Sequence, residues 1–401
     1  MSKLEELIKE FCPNGVEYKP LEECCSILDN KRKPVTKSVR EYGEYPYYGA
    51  NGIQDYVSDY IFDGVFVLVG EDGSVLTSNG TPVVNWAEGK IWVNNHAHII
   101  AEKEGILLRY LYHYLQTISI VSLVHRNIPK LTGSDFKSLQ IPLPALLVQR
   151  EIVRILDSFT LYSAELTAEL TARRKQYEFY RDKLLTFDEI YDTKYLPLND
   201  VIYSLNTGLN PRQFFTLNTE DAKNYYVTIR EIHNNKIIFN EKTDKINDNA
   251  LRLCNNRSHL EVGDVLFSGT GTIGETALVE EEPYNWNIKE GVYAIKPKKN
   301  IILSKFLMYV FGATSIRMAY MKKAEGGTVK SVSMGEMRKL LIPVPPIEVQ
   351  ERIVKVLDNF DAICSDLGIG LPAEIEKRQK QYEYYRDKLL TFEEKNNNGE
   401  K

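Results

Sequence analysis

The sequence predicts an α+β protein in which one plan is used twice: two mixed α and β domains joined by two long helical tracts, a pseudo-two-fold repeat within one chain. Three observations predict it. QYEFYRDKLLTF at Gln176–Phe187 returns as QYEYYRDKLLTF at Gln381–Phe392. The stretch from Gln149 to Leu196 holds neither Gly nor Pro and places apolar and aromatic residues at threes and fours. The segments ahead of each tract instead alternate short runs rich in Val, Ile, Tyr and Phe with Gly, Asn and Asp turns.

Size and composition set the outer bounds. A chain of 401 residues exceeds one ordinary core and suggests two to four globular units. The expected divisions are 1–140, a first domain; 141–193, a first helical tract; 194–341, a second domain; and 342–401, a second tract. A hydrophobic share of 43% and a charged share of 26% suit a globular protein, and no run of about 18 apolar residues is present to span a bilayer. The first residues, MSKLEELIKEFCPNG, put acidic side chains where an export signal needs an apolar stretch, so a cytoplasmic location is expected. Five cysteines (Cys12, Cys24, Cys25, Cys254, Cys364) without a Cys-x-x-Cys offer neither a disulfide framework nor a zinc site, and are read as reduced, mostly buried thiols. A net charge of −5 argues against nucleic-acid binding through bulk positive charge; any DNA contact has to come from local clusters or from partners.

The duplication extends beyond the tyrosine-rich stretch. IPLPALLVQREIVRILDSF, Ile141 to Phe159, matches IPVPPIEVQERIVKVLDNF, Ile342 to Phe360, at a separation of 201 positions. From Lys175 to Phe187 against Lys380 to Phe392, 12 of 13 residues agree, now at a separation of 205. The second copy has gained four residues, close to one helical turn of about 3.6, so facing is nearly preserved. A weaker echo precedes each unit, EYKPLEECCSI at Glu17 and KYLPLNDVIYSL at Lys194.

Within the first tract, Phe159, Tyr162, Leu166, Arg173, Tyr177, Tyr180 and Leu184 mark a coiled-coil seam, with Leu170 one step off it. A helix from Leu161 to Phe187 would rise about 40 Å. In the second tract GIGLP, Gly368 to Pro372, ends one helix and starts the next. Near identity at Gln176, Glu178, Arg181, Asp182 and Lys183 has two readings: surface helices packed on their own domains, or a shared partner surface. A merely solvated face has no need to be copied so closely, which favours the second.

The domains between the tracts read as strands and turns, DGVFVLVGEDGSVLT and GKIWVNNHAHIIA in the first, GDVLFSGTGTIGETALV and GVYAIKP in the second. Each closes on a helical pattern, ILLRYLYHYLQTIS and LSKFLMYVFGATSIRMAYM. They share a layout and little identity.

Two divergent domains alternating with IPxP, QxxIVxxLD and KQYExYRDKLLTF resemble the specificity (S) subunits of type I restriction-modification enzymes, over essentially the whole chain. The resemblance implies that the divergent segments are target recognition domains, each reading half of a bipartite, asymmetric double-stranded DNA site. It implies that the two helical tracts pair as an antiparallel coiled coil, a spacer that docks two methyltransferase (M) subunits, with restriction (R) subunits completing a nuclease. Docking then falls to Gln176, Tyr177, Tyr180 and Arg181 and to Gln381, Tyr382, Tyr385 and Arg386. S-adenosylmethionine, ATP and Mg²⁺ belong to those partners, leaving this chain without cofactor, metal or catalytic residue. SAELTAELT, Ser163 to Thr171, is similar to the family's tetrapeptide spacer repeat, in one imperfect and one full copy.

Two motifs and a histidine pair bear on that reading. GTGTIG, Gly269 to Gly274, fits a dinucleotide or methyl-donor fingerprint, but ETALVE after it favours a strand where the fingerprint needs a helix, so a Gly-rich hairpin turn is expected. IPVPPIE, Ile342 to Glu348, lacks the amide and the aromatic of the Asn/Asp-Pro-Pro-Tyr/Phe motif of adenine methyltransferases. His96 and His98 have no acidic or Cys partner at ligand spacing and read as structural.

For DNA contact the useful types are Arg and Lys for phosphate and guanine, Asn and Gln for adenine, Ser and Thr for either. The first domain offers Lys31, Arg32, Lys33, Asn79, Thr81, Asn94, Asn95, Arg126 and Lys130. The second offers Arg212, Arg230, Ser268, Thr270, Thr272, Lys322, Lys323, Thr328 and Lys330. The expectation is a noncatalytic DNA-sequence reader. Its rivals are a self-contained S-adenosylmethionine-dependent DNA methyltransferase and a coiled-coil scaffold that ignores nucleic acid.

Overall fold

The structure is a computed structural model that describes residues 3–124, 129–187, 193–365 and 368–395. The chain forms two compact units, Met1–Glu165 with Ile375–Lys401, and Leu166–Glu374. Each unit thus takes one stretch from each helical tract.

The first unit is organised by a six-stranded sheet in the order Ser26–Ile27, Ala97–Ala101, Phe62–Gly70, Val84–Val93, Tyr42–Gly49, Gly52–Val57. All pairings are antiparallel except Tyr42–Gly49 beside Val84–Val93, where Tyr47 faces Trp92 and Tyr48 faces Val93. The run Phe66-Val67-Leu68-Val69 explains why this strand is central. Side chains alternate, so Val67 and Val69 enter one core with Ile100, Leu111 and Phe136, while Phe66 and Leu68 enter another with Ile91, Val93 and Ile99. Both faces are covered, and a fully buried Val or Leu contributes about 1.5–3 kcal/mol over an exposed one.

The second unit repeats the connectivity. Ile202–Thr207, Val292–Pro297, Val265–Ser268 and Thr276–Leu278 form an antiparallel sheet in that order. A smaller sheet sets Asn224–Val227 parallel to Trp286–Ile288, with Lys245–Ile246 on its other side. Val265 and Phe267 point into one core and Leu266 into another, the same alternation as in the first unit.

The weak sequence echo has a concrete form. Glu17–Pro20 pairs antiparallel with Gln140–Leu143, and Lys194–Pro197 with Leu341–Val344, so each IPxP is a short strand closed by its echo. At Pro20 and Pro197 the chain turns at once into a single helical turn, with φ,ψ of −55°,142° and −54°,139°. The helical patterns also fold as read: Leu108–Leu115 in the first unit, and Ser304–Gly312 then Thr314–Met321 in the second, divided at Ala313.

The first tract is one helix, Leu146–Leu184, of 39 residues, starting earlier than the stretch from Leu161 used for the 40 Å estimate. Nothing between Gln149 and Leu184 breaks it, and its rise is about 58 Å. The second tract is two helices of 19 residues each, Ile347–Ser365 and Leu371–Leu389, with Pro372 in the first turn of the latter. Among the described residues no helix is long and apolar enough to cross a membrane.

Candidate nucleic-acid interface

The repeated tracts are held inside each unit by one device used twice. In the first unit, Phe159 stacks on Tyr385 with ring centroids 5.4 Å apart; in the second, Phe360 stacks on Tyr180 at 5.7 Å. Tyr382 is buried, and the Arg386 guanidinium lies 5.8 Å over its ring; Tyr177 and Arg181 repeat this at 5.6 Å. Much of the copied sequence is therefore internal packing. Tyr177, Tyr180, Tyr382 and Tyr385 all have intramolecular aromatic partners. Gln176 and Gln381 are half-buried, and each accepts a hydrogen bond from an arginine three residues earlier, Arg173 at 3.1 Å and Arg378 at 2.8 Å.

What stays outside is one aromatic ring in each unit that the sequence pattern does not single out. Phe179 is 62% exposed and Tyr384 61%, and each meets the following tyrosine edge-on, at 5.4 and 5.3 Å with the same 76° interplanar angle. Lys183 and Lys388 are exposed on the same stretches. The signal lay in QYEFYRD against QYEYYRD, whose one difference, Phe for Tyr, is at the most exposed ring.

In the first domain the basic cluster splits. Lys31 and Lys33 are exposed, but Arg32 is drawn inward: it donates to Glu71 at 2.6 Å, to the Asp29 carbonyl at 2.9 Å and to the Ala97 carbonyl at 2.6 Å. Lys130 pairs with Glu71 at 3.2 Å. His98 is buried, with Nδ1 2.6 Å from Asp29 and Nε2 3.1 Å from the Leu131 carbonyl, its ring stacked on Phe136 at 4.1 Å. So His98 does have acidic partners, contributed by positions too distant in sequence for a spacing argument to find. Burial alone would raise the Asp29 carboxyl, but the bonds from His98 and Ile99 and the charge of Arg32 outweigh it and hold it low. Asp29, Glu71 and His98 converge as metal ligands would, yet the arginine and lysine already neutralise both carboxylates.

Asn94 is buried and holds the turn by accepting from the His96 amide at 2.8 Å, whereas Asn95 is exposed. Asn79 is exposed, and the Thr77 and Thr81 hydroxyls bond across the same turn at 2.8 Å. Arg126 lies outside the described residues.

In the second domain the structure gathers several candidates at one edge. The Gly269–Gly274 turn joins two antiparallel strands and does not open a helix, as the hairpin reading expects. Its glycines have steric reasons: a Cβ on Gly269 would come 2.2 Å from the Tyr293 ring, and Gly274, at φ +99°, would meet the Tyr320 hydroxyl at 2.2 Å. The Lys330 carbonyl accepts from the Gly271 amide at 2.9 Å, which brings exposed Thr270, Thr272, Thr328 and Lys330 together. Ser268 is instead buried, donating to the Thr272 carbonyl at 2.6 Å. Thr270 and Arg230 border a cleft of about 720 Å³ that also holds Lys289. Arg230 is paired with Asp244, Lys323 lies 3.6 Å from Glu336, and Arg212 and Lys322 are exposed.

The helix Asp248–Ser258 was missed. It buries Ala250, Leu251, Cys254 and Ser258 and exposes Asn249, Arg252, Leu253 and Asn256 on the opposite side. That spacing of i, i+3, i+4 and i+7 was readable in DNALRLCNNRS, but a low apolar content hid the helix.

With this geometry in hand, comparison with known proteins defines the class. The chain matches the family described as type I restriction modification DNA specificity domain over residues 13–173 and 192–377. It is 39% identical to a Haemophilus influenzae protein whose name places it among type I restriction enzyme specificity subunits, covering 97% of this chain and 98% of that one. It is 32% identical to the EcoR124I/EcoR124II specificity subunit of Escherichia coli over 71% of each. The crystal structure of a type I restriction-modification S subunit from M. genitalium shares the fold at a TM-score of 0.56 and 16% identity, covering 94% of this chain and 96% of that one. The chain therefore belongs to the type I restriction-modification DNA specificity family.

Proposed function

We propose that this chain is the noncatalytic sequence reader of a type I restriction-modification assembly. Two unlike domains each read half of an asymmetric, bipartite DNA site, and the helical tracts pair antiparallel to hold them in register. One observation carries the reading: the family match spans both domains, in which four strands follow the same order while the segments between them are dissimilar and the helical stretches near-identical. Antiparallel pairing is supported by Phe159 against Tyr385 together with Tyr162 under the Arg378 guanidinium at 5.1 Å, because the partner numbers fall as the first rises.

The exposed rings of Phe179 and Tyr384 offer two equivalent places for methyltransferase subunits, one per copy, and restriction subunits join through them. S-adenosylmethionine, ATP and Mg²⁺ act on those partners in the cytoplasm. An acidic chain gains DNA affinity within such an assembly, where partner surfaces supply phosphate neutralisation. The test is to reconstitute the chain with its methyltransferase subunits and map the methylated adenines. A split motif of two unlike halves at fixed separation is expected; modification that ignores sequence, or that requires one half alone, overturns the reading.

A further inference from the structure

We propose that the exposed face of the helix Asp248–Ser258 enters the DNA major groove and reads base edges through Asn249, Arg252 and Asn256. This rests on the DNA-reading function proposed above and assigns one half-site to a particular surface.

The helix is anchored from behind. Ala250, Leu251 and Cys254 pack with Tyr226 and Ile246, Asn247 caps the first turn by accepting from the Ala250 amide at 3.0 Å, and Asn255 accepts from Asn287 at 2.7 Å. Its outer face is left polar and cationic. From Asn249 to His259 the helix and its cap carry two arginines and no carboxylate. Asp248, at the start, is already paired with Lys223 at 2.9 Å and Asn224 at 2.9 Å.

The residue types are those that discriminate bases: Asn is bidentate to adenine, Arg to guanine, and an apolar side chain such as Leu253 meets the thymine methyl. From Asn249 to Asn256 the rise is about 10 Å, three base steps at about 3.4 Å each. The Asn249 side-chain oxygen Oδ1 accepts from Arg252, which orients the guanidinium and leaves its other N–H groups to donate. With Leu253 and Asn255 these side chains line one shallow depression. In the first unit the strand Gly52–Val57 leads directly into Phe62–Gly70, whereas in the second the strand that holds the same place, Lys245–Ile246, is followed by the helix before Val265–Ser268. The two readers thus differ in that the second carries a helix at a point where the first has none.

The test uses the full chain assembled with its methyltransferase subunits and maps modified sites for Asn249→Ala, Arg252→Ala, Arg252→Lys and Asn256→Ala. One half of the motif is expected to relax at one to three adjacent positions. Cognate modification should fall by about tenfold, with the other half and the separation unchanged. Arg252→Lys keeps the charge but loses bidentate geometry, so it should relax the motif as well. All substitutions lie on exposed positions, and unchanged thermal midpoints verify folding. An unaltered motif at unaltered rate overturns the proposal. So does loss of subunit assembly with the motif intact, which makes the face a protein contact. Wild-type modification without any sequence preference instead defeats the parent reading and this one together.

Discussion

The Tyr382 hydroxyl lies 3.0 Å from Nδ1 of His113, a residue 269 positions earlier, and ties the last helix to the first unit. Nε2 of the same ring is 2.8 Å from Asp157, which also accepts from Arg109 at 2.8 Å. Burial pushes the His113 imidazole below its ordinary value, and the Asp157 bond only partly opposes this. A neutral ring donates from Nε2 to Asp157 and accepts a hydrogen bond from the Tyr382 hydroxyl at Nδ1.

Acid should therefore loosen the first unit selectively. With the folded value below the unfolded one of about 6.5, the unfolded chain takes up a proton that the native chain refuses. Stability is whole above that pH and falls as pH drops toward and through the native value. The second unit has Tyr309 at the equivalent place, 196 positions on, bonded to Asp358 at 2.6 Å, and lacks this response. Hydrogen exchange, corrected for intrinsic rates, should lose protection between pH 7 and 5 at 108–115 and 375–389 but not at 304–312. His113→Asn should flatten that slope, and Tyr382→Phe should cost about 1 kcal/mol at neutral pH. Equal acid sensitivity in both units refutes the assignment.

Gln149 and Gln350 make a second matched pair. Each is fully buried, accepts from the amide preceding a helix (Leu107 at 2.9 Å, Leu303 at 2.8 Å) and donates to two carbonyls, Gly105 and Pro144 or Ile301 and Pro345. Gln149→Leu takes their side-chain partner from the buried Pro144 carbonyl and the half-buried Leu107 amide, so destabilisation on the order of 2 kcal/mol is expected. Gln350→Leu should do the same to the second unit. Urea unfolding reports both; a midpoint unchanged in either variant contradicts the bonding described.

These pairs indicate what the sequence makes legible. The glutamine sits in the copied QxxIVxxLD, so its importance was visible, while its partners were not, because they lie in segments that diverged. Strand runs, IPxP units and tract helices were readable from period and punctuation. The copied tyrosines were legible as a pattern but ambiguous as to cause: packing and docking both preserve a ring, and only burial separates Tyr382 from Tyr384. Arg32 shows the same limit for charge, since a cationic cluster in sequence says nothing of the buried carboxylates that claim one member. The helix Asp248–Ser258 escaped because its anchoring side is only Ala250, Leu251, Cys254 and Ser258.

Copied sequence also meets different neighbours. Asp182 accepts from the Thr314 amide at 3.1 Å and its hydroxyl at 2.6 Å, capping the helix Thr314–Met321, and these bonds with Arg181 hold its carboxyl low against the effect of burial. Asp387, its counterpart, has a side chain 60% exposed, and among the described residues its carboxylate bonds to Arg386. Asp182→Ala should cost about 1–3 kcal/mol, and this contribution is present above about pH 4 and lost as pH falls through the lowered value. Asp387→Ala should change stability by no more than about 0.5 kcal/mol. Thermal unfolding of the two variants decides; equal effects rule out the cap.

The tetrapeptides at Ser163–Leu170 allow the spacing role to be tested by length alone. Their leucines differ in burial, Leu166 buried and Leu170 half-buried, and recur every four residues on one side of the uninterrupted helix. Four more residues lengthen that helix by about 6 Å and turn it by about 400°, some 40° past a full turn, so the seam stays nearly in phase. Two more residues turn it by about 200° and put the seam on the wrong side. If the paired tracts set the separation of half-sites, inserting Thr-Ala-Glu-Leu after Leu170 should widen the unread gap by one or two base pairs, at about 3.4 Å per step, and leave both half-motifs unchanged. A two-residue insertion at the same point should abolish modification. Adenine-methylation mapping of the reconstituted assembly reads both outcomes, and an unchanged gap after the four-residue insertion removes the helices from any role as a ruler.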